Sequence, residues 1–369
     1  MSTYIHELAD WPRLHWDHRA VSGPLAAASH KQGRLIGQME ALGFGFQEEA
    51  VLRTLTADVL KSSEIEGEHL DGDQVRSSVA RRLGMEIAGL TPADGHVEGV
   101  VEMMLDATQQ YDPLLTDERL FSWHAALFPA GRSGMHRIAV GRWRDDSSAP
   151  MQVVSGPVGR ERIHFEAPPA VKLEDDMRTF LEWFNTDLTT EPLLKAAQAH
   201  LWFVTIHPFD DGNGRIARAI SDMMLARSEG SSHRFYSMSS QIRLERSDYY
   251  GILGRTQQGT LDVTPWIEWF LSCMARAIDG AQTTLAGVIA KARTWDALRT
   301  VSLNDRQRLV INLLIDGFDG KLTSSKWAAL TKCSQDTSLR DIQQLVERGV
   351  LTRDAAGGRS TSYSLTRGV

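Results

Sequence analysis

The chain has 369 residues, 42% of them hydrophobic and 24% charged, and carries a formal net charge of −7. That length predicts two or three domains, the composition is ordinary for a soluble globular protein, and the acidic balance argues against wholesale nucleic-acid binding. No apolar run approaches the roughly 20 residues a bilayer crossing requires. From Val301 onward, ten Lys/Arg stand against seven Asp/Glu, a net +3 that leaves −10 for the first 300 residues. Any DNA contact is therefore expected in the tail. Two cysteines, Cys273 and Cys333, lie far apart and outside any metal-ligand pattern, which predicts reduced, buried thiols. MSTYIHELADW at the N-terminus has no basic-then-apolar start, so no signal peptide is expected and a cytoplasmic location is the default.

In chain order, residues 24–66 predict helices broken near Gly43 and Gly45, and residues 96–128 a further helical region. Residues 142–169 change texture. The short β-prone runs MQVVSG and IHFEAPPA, separated by Gly and Pro, predict a hairpin on a helical body. Helix resumes from about 172 to 186. Leu193, Leu194, Ala197, Leu201 and Val204 recur at helical spacing up to His207, where Pro208 ends the run. Ile216, Ala219, Ile220, Met223 and Met224 form a second apolar stripe. Residues 286–302 read as a linker or connecting helix. Helices expected at 306–315, 324–330 and 334–346, followed by a two-stranded wing, predict a winged helix-turn-helix over 303–369. The expected fold is mainly α, with an N-terminal helical region (1–95), a central helical domain (96–285) and this tail.

HPFDDGNGRIAR, residues 207–218, is the densest chemistry in the sequence. His207 offers a base near neutral pH. Asp211 is a carboxylate of the kind magnesium takes singly before completing its shell with substrate phosphates; Asp210 and Asp211 are equally suited to helix N-capping. Gly212, Asn213 and Gly214 predict an anion nest of backbone N–H groups and the Asn amide, at the positive end of the following helix. Arg215 and Arg218, at i and i+3, can reach one anionic ligand from the same face. Phe209 is expected to anchor the loop in the core.

Taken as a unit, this segment resembles the signature of the Fic family, HxFx(D/E)GNGRxxR, at every defined position. WPRLHWD, FYSMSSQI and GRSTSYSL extend the resemblance over nearly the whole chain. The resemblance implies a helical core with a β-hairpin flap and transfer of AMP from ATP to a hydroxyl of a protein target. It further implies that His207 deprotonates a Ser, Thr or Tyr hydroxyl and that Asp211 holds Mg²⁺ against the α- and β-phosphates. Gly212, Asn213 and Gly214 would line the anion hole, and Arg215 and Arg218 would take the β- and γ-phosphates. SSEIEG (62–67) is similar to the family's inhibitory motif (S/T)xxxE(G/N), with Ser62, Glu66 and Gly67 in the defined places. There the Glu pairs with the second arginine, here Arg218. The hairpin of residues 152–165, from Gln152 to Phe165, matches the flap, which docks a target by strand addition. It is longer than short flaps and carries Arg160, Glu161 and Arg162. Tyr249, Tyr250 and Gln257 fall where relatives hold the nucleoside.

Alternatives stay open at this stage. Some relatives use the inhibitory Glu to remove AMP, and others transfer UMP, phosphocholine or phosphate; both arginines and Gly214 favour a nucleoside triphosphate. A nucleotide-sensing regulator would bind DNA through the tail, where Lys332, Gln335, Arg340 and Arg359 are the candidate contacts. Self-AMPylation and a homodimer are both compatible with the sequence.

Overall fold

Glycine and proline breaks and side-chain caps set the helix boundaries in the computed structural model, which describes residues 4–85, 89–146, 150–156, 160, 162–315, 317–318, 320–354 and 361–366. Glu161 of the hairpin and Arg359 of the tail lie outside the described residues. Helices α1 (His18–Glu40) and α2 (Phe44–Ile65) are separated near Gly43, as the sequence predicts. Asp71 and Asp94 cap α3 (Gly72–Arg82) and α4 (Gly95–Gln109), each accepting backbone N–H bonds from the first turn. Thr116 caps α5 (Asp117–Leu127) in the same way. The single helical region expected over 96–128 is thus two helices, divided where Pro113 removes a donor and Thr116 restarts the ladder. Strands β1 (Arg132–Ser133) and β2 (His136–Arg137) form a small ribbon.

The expected hairpin is β3 (Gln152–Ser155) against β4 (Arg162–Glu166), antiparallel, with Val153 opposite Phe165 and an irregularity between Val153 and Val154. Phe165 is buried, whereas Val154 and Ile163 are exposed. Next comes α6 (Leu173–Thr186), which buries Leu173, Met177, Phe180, Leu181 and Phe184 on one face.

Helix α7 (Pro192–Ile206) begins with Glu191 as cap and Pro192 in the first turn, and everything from Leu193 to Ile206 is buried. A helix buried on every side is a core helix, and its polar Lys195, Gln198, His200 and Thr205 are enclosed with the rest. It packs along α8 (Asn213–Glu229), whose Ile216, Ala219, Ile220 and Met223 are buried as the stripe predicts. Gly230 in the left-handed region closes α8. Helices α9 (Met238–Leu244) and α10 (Arg246–Gln257) follow, then α11 (Thr264–Ala297), one continuous helix.

The chain divides into two units, residues 1–38 with 50–281, and residues 39–49 with 282–369. In the second, α12 (Asp305–Ile315), α13 (Ser324–Thr331) and α14 (Gln335–Glu347) precede a ribbon of β5 (Leu351–Arg353) and β6 (Tyr363–Leu365). This is the helix order and terminal ribbon the sequence predicts for the tail. Its core is Trp327, Val310, Ile311, Ile342 and Leu345. Lys332, Gln335 and Arg340 are exposed. Cys273 is buried as expected and burial raises its thiol pKa; Cys333, at the end of α13, is partly exposed instead. Both are free thiols. Among the described residues no helix is long and apolar enough to cross a membrane.

Candidate active site

The loop between α7 and α8 carries the motif, and several buried side chains hold it. His207 caps α7 with φ 52° and ψ 58°, a left-handed conformation that a non-glycine residue adopts only when its surroundings enforce it. Its Nδ1 lies 3.2 Å from the Val204 carbonyl. A carbonyl only accepts, so Nδ1 carries the proton and Nε2 keeps the lone pair. Burial pushes this imidazole down to about 4, leaving it neutral near pH 7. Arg144, itself buried, donates Nε to the His207 carbonyl at 2.8 Å and Nη2 to the Pro168 carbonyl at 2.6 Å, and pairs with Asp146 at 2.7 Å. It thereby ties the motif loop to the chain just past β4.

Asn213 spends its side chain inside the loop. Its Oδ1 accepts from Phe209 N at 3.0 Å and its Nδ2 donates to Phe209 O at 2.7 Å. The amide expected to face an anion therefore closes the turn, and only the backbone N–H of Asn213 remains for a ligand. Phe209 is fully buried, as expected, and stacks on His124 at 4.2 Å. His124 Nδ1 accepts from Gly141 N at 3.3 Å, so its Nε2 donates to the Asp211 carbonyl at 3.2 Å. The Asp211 carboxylate accepts from Gly212 N at 2.6 Å and from the Ser133 hydroxyl on β1. Asp210 accepts from Ala139 N at 2.8 Å. Gly212 sits at φ 82°, and a Cβ there would press on the Phe128 ring at 2.9 Å; the left-handed conformation and the contact both require glycine.

The first turn of α8 points its leading N–H groups out of the helix. Arg215 and Arg218 lie beside them, each side chain only 1% exposed. A buried guanidinium needs a counter-charge, and the end of α2 supplies it. Glu66 Oε1 is 2.8 Å from Arg218 Nη1, and the same carboxylate stands where a Cβ on Gly214 would be. Arg218 also donates Nε to Ser62 Oγ and Nη2 to Ser62 O, both at 2.9 Å. Burial opposes the charge of Arg218, yet Glu66 beside it holds its pKa above the ordinary arginine value. Gly67, at φ 86°, closes α2 with two bonds, Gly67 N to Glu64 O at 3.1 Å and Glu68 N to Ser63 O at 3.0 Å, a Schellman turn.

The expected nucleoside residues separate. Tyr250 is 39% exposed and its hydroxyl reaches Glu66 Oε2 at 3.4 Å, with the Arg246 guanidinium over its ring at 5.1 Å. Tyr249 is 1% exposed, bonded to His200 Nε2 at 2.9 Å and packed among Trp266 and Trp269. Gln257 is buried against Val204 and Thr205 of α7. Tyr249 and Gln257 are thus buried, with Tyr249 against Arg218 and its ring 4.9 Å from that of Tyr250, and Tyr250 is the one of the three whose hydroxyl reaches Glu66. Arg144, His124, Ser133 and Glu68 were not singled out from sequence. Each acts through a contact between segments distant in the chain, and a lone Arg, His, Ser or Glu in a loop carries no local signal.

The site thus joins the N-terminus of α8 to a neutral histidine at its edge and two buried arginines beside it, each paired with a carboxylate of the same chain. Residues 114–225 match the Fic/DOC family model. Residues 4–85 match a domain of unknown function (DUF4172). "Protein adenylyltransferase Fic" of Nematostella vectensis is 35% identical over 123 residues, 32% of this chain and 27% of that protein. The protein of the same name from Drosophila melanogaster is 32% identical over 105 residues, 28% of this chain and 20% of that one. The chain thus spans between a fifth and about a quarter of these relatives' length. A Fic family protein from Desulfovibrio desulfuricans G20 superposes with a TM-score of 0.59 at 22% identity, over 97% of this chain and 99% of that one. A Fic domain containing signaling protein from Bacteroides thetaiotaomicron VPI-5482 gives 0.50 at 21% identity, over 73% and 97%. These likenesses show the fold.

Proposed function

We propose that the protein is an adenylyltransferase that moves AMP from ATP to a Ser, Thr or Tyr hydroxyl of a protein target and is held off in cis by Glu66. One observation carries this reading: the Glu66 carboxylate rests over Gly214 and pairs with Arg218, so the cradle already accepts an anion where an outer phosphate would sit. His207 Nε2 takes the proton from the target hydroxyl, whose oxygen attacks the α-phosphorus. The bond from that phosphorus to the bridging oxygen breaks, pyrophosphate leaves, and the imidazolium returns its proton to water. Arg215, Arg218 and the N–H groups of residues 213–215 orient the triphosphate and offset its charge, which is most of what phosphoryl-type transfer asks of a protein.

Mg²⁺ enters as part of the nucleotide substrate and offsets phosphate charge when bound. Among the described residues no cluster of three His, Cys, Asp or Glu side chains forms a protein-only metal site. The single Asp211 carboxylate, steered by Ser133 and Gly212, suits a magnesium that takes its other ligands from phosphates and water. The hairpin 152–165 presents Val154 and Ile163 to the target, which adds a strand to it. In this reading residues 96–285 form the transferase, residues 1–95 carry its inhibitor, and residues 303–369 bind a partner, protein or DNA.

The test weighs intact protein after incubation with ATP and Mg²⁺. Glu66→Gly should gain AMP, wild type much less, and Glu66→Gly with His207→Ala none while still binding ATP. Adduct on the His207 variant would overturn the base assignment, and no ATP binding by any variant would overturn the transferase.

A further inference from the structure

Beyond the pairing of Glu66 with Arg218, the site's other arginine is also occupied from within the chain. Arg215 Nη1 lies 2.6 Å from Glu68 Oε2 in a hydrogen-bonded ion pair. The arginine is 1% exposed and the carboxylate 37%. The guanidinium is fixed from its other side by the Phe128 ring, 5.0 Å away. The same Glu68 oxygen stands 3.3 Å from His96 Nε2 on α4. Glu68 reaches this position because the Schellman turn at Gly67 reverses the chain as α2 ends. Residues 66 and 68 therefore set their carboxylates on Arg218 and Arg215 separately.

Among the described residues, Arg215 Nε is buried without a hydrogen-bond partner, whereas Arg218 Nη1 is taken up by Glu66 at 2.8 Å. A planar carboxylate offers two oxygens where a terminal phosphate offers three. The Glu68 carboxylate thus leaves one buried donor of Arg215 over. Neutralising Arg215 also removes a positive charge that a polyphosphate needs.

We propose that Glu68 is a second inhibitory carboxylate, which occupies Arg215 as Glu66 occupies Arg218, so that the end of α2 blocks both outer-phosphate positions at once. The inference rests on the reading of the cradle as a nucleotide site. It makes release a two-step matter: lifting Glu66 alone frees one arginine and leaves the other occupied. It also makes the block selective for nucleotides that carry outer phosphates, since AMP has none to offer either arginine.

The experiment measures ATP and AMP binding by calorimetry with Mg²⁺ present, together with AMP incorporation by intact mass, for wild type, Glu66→Gly, Glu68→Gln and the double variant. Glu68→Gln keeps the side chain's shape and removes its charge. It should tighten ATP binding roughly threefold to tenfold, as expected for a half-exposed ion pair, leave AMP binding unchanged, and add to the gain of Glu66→Gly in both binding and incorporation. Unaltered ATP binding and incorporation in both backgrounds, while Glu66→Gly alone gains, would overturn the role of Glu68 and leave the transferase intact. An equal gain for AMP would overturn it as well, by pointing to a general loosening. If Glu66→Gly neither binds ATP nor incorporates AMP, the nucleotide reading itself fails.

Discussion

Asn213 bears more of the site's geometry than a view of it as an anion contact suggests. Both ends of its amide are spent on Phe209, closing the loop that aims His207 and Asp211. Asn213→Ala would leave a buried N–H and carbonyl unpaired, a cost of about 1–3 kcal/mol. Its urea midpoint should fall by a corresponding amount and its AMP incorporation should collapse even in the Glu66→Gly background. Asn213→Asp keeps the acceptor for Phe209 N and loses only the donor, so it should fall between the two. Full activity in Asn213→Ala would show that the loop holds without this brace. The types of these residues were legible in the sequence because the motif is contiguous, and their neighbours in space are the same residues that follow one another in the chain. What the Asn amide touches was not legible, because donor and acceptor both belong to a turn whose shape is fixed by Gly212 and by Phe209 in the core.

At the scale of elements, the decisive piece is the end of α2. Ser62, Glu66 and Gly67 lie along a helix terminus whose spacing is local, and the structure brings all three to the α8 cradle or its turn. Glu68 was invisible beside them, since its partners Arg215 and His96 come from α8 and α4. The different burial of the adjacent tyrosines on α10 was not legible either, since Tyr249 packs against the tryptophans of α11 while Tyr250 reaches Glu66. The turn at Gly67 gives a prediction of its own. Alanine there meets no atom within 4 Å but must hold φ 86°, costing about 1–2 kcal/mol. Part of that cost is relieved by unwinding the turn, so Gly67→Ala should raise AMP incorporation. Gly230→Ala is the control. It carries the same backbone burden at φ 58° with open space around it, at the far end of α8, and should lose similar stability with incorporation unchanged. Equal incorporation by the two variants would show that strain at Gly67 does not reach Glu66.

Across the whole molecule, buried histidines couple the site to the stability of the fold. Burial lowers His124 and His207 to about 4 and His200 to about 3. All three sit on α5, α7 or the loop after α7, and their partners are the Asp211 carbonyl, the Val204 carbonyl, and Tyr249 with Ser221. Their neutrality was not readable from sequence, because it depends on how completely α7 is enclosed. The linkage has a definite sign. An unfolded histidine takes its proton near pH 6.5, and these three take theirs in the fold only near 4 or below. Between those limits the unfolded chain binds more protons, so stability present above pH 6.5 is lost as pH falls toward 4, by up to about 1.4 kcal/mol per pH unit for each residue. Asp222 works the other way. Burial, with Asp58 beside it, raises its pKa, so it favours proton uptake by the fold and offsets at most one histidine's share. His96, raised by Glu68, adds stability below pH 6.5 that is lost only as pH climbs past its folded value. His6 is lowered by burial as well, and the raised carboxyls Asp117, Asp176 and Glu191 act mainly at lower pH, so the histidines leave a net loss just below pH 6.5. The urea midpoint should therefore drop steadily from pH 6.5 to 5.5, while the ring signals of His124, His200 and His207 in histidine-labelled protein stay at their neutral positions over that range. A flat midpoint with titrating rings would mean that water reaches these imidazoles, and that the neutral state of His207 needs another cause.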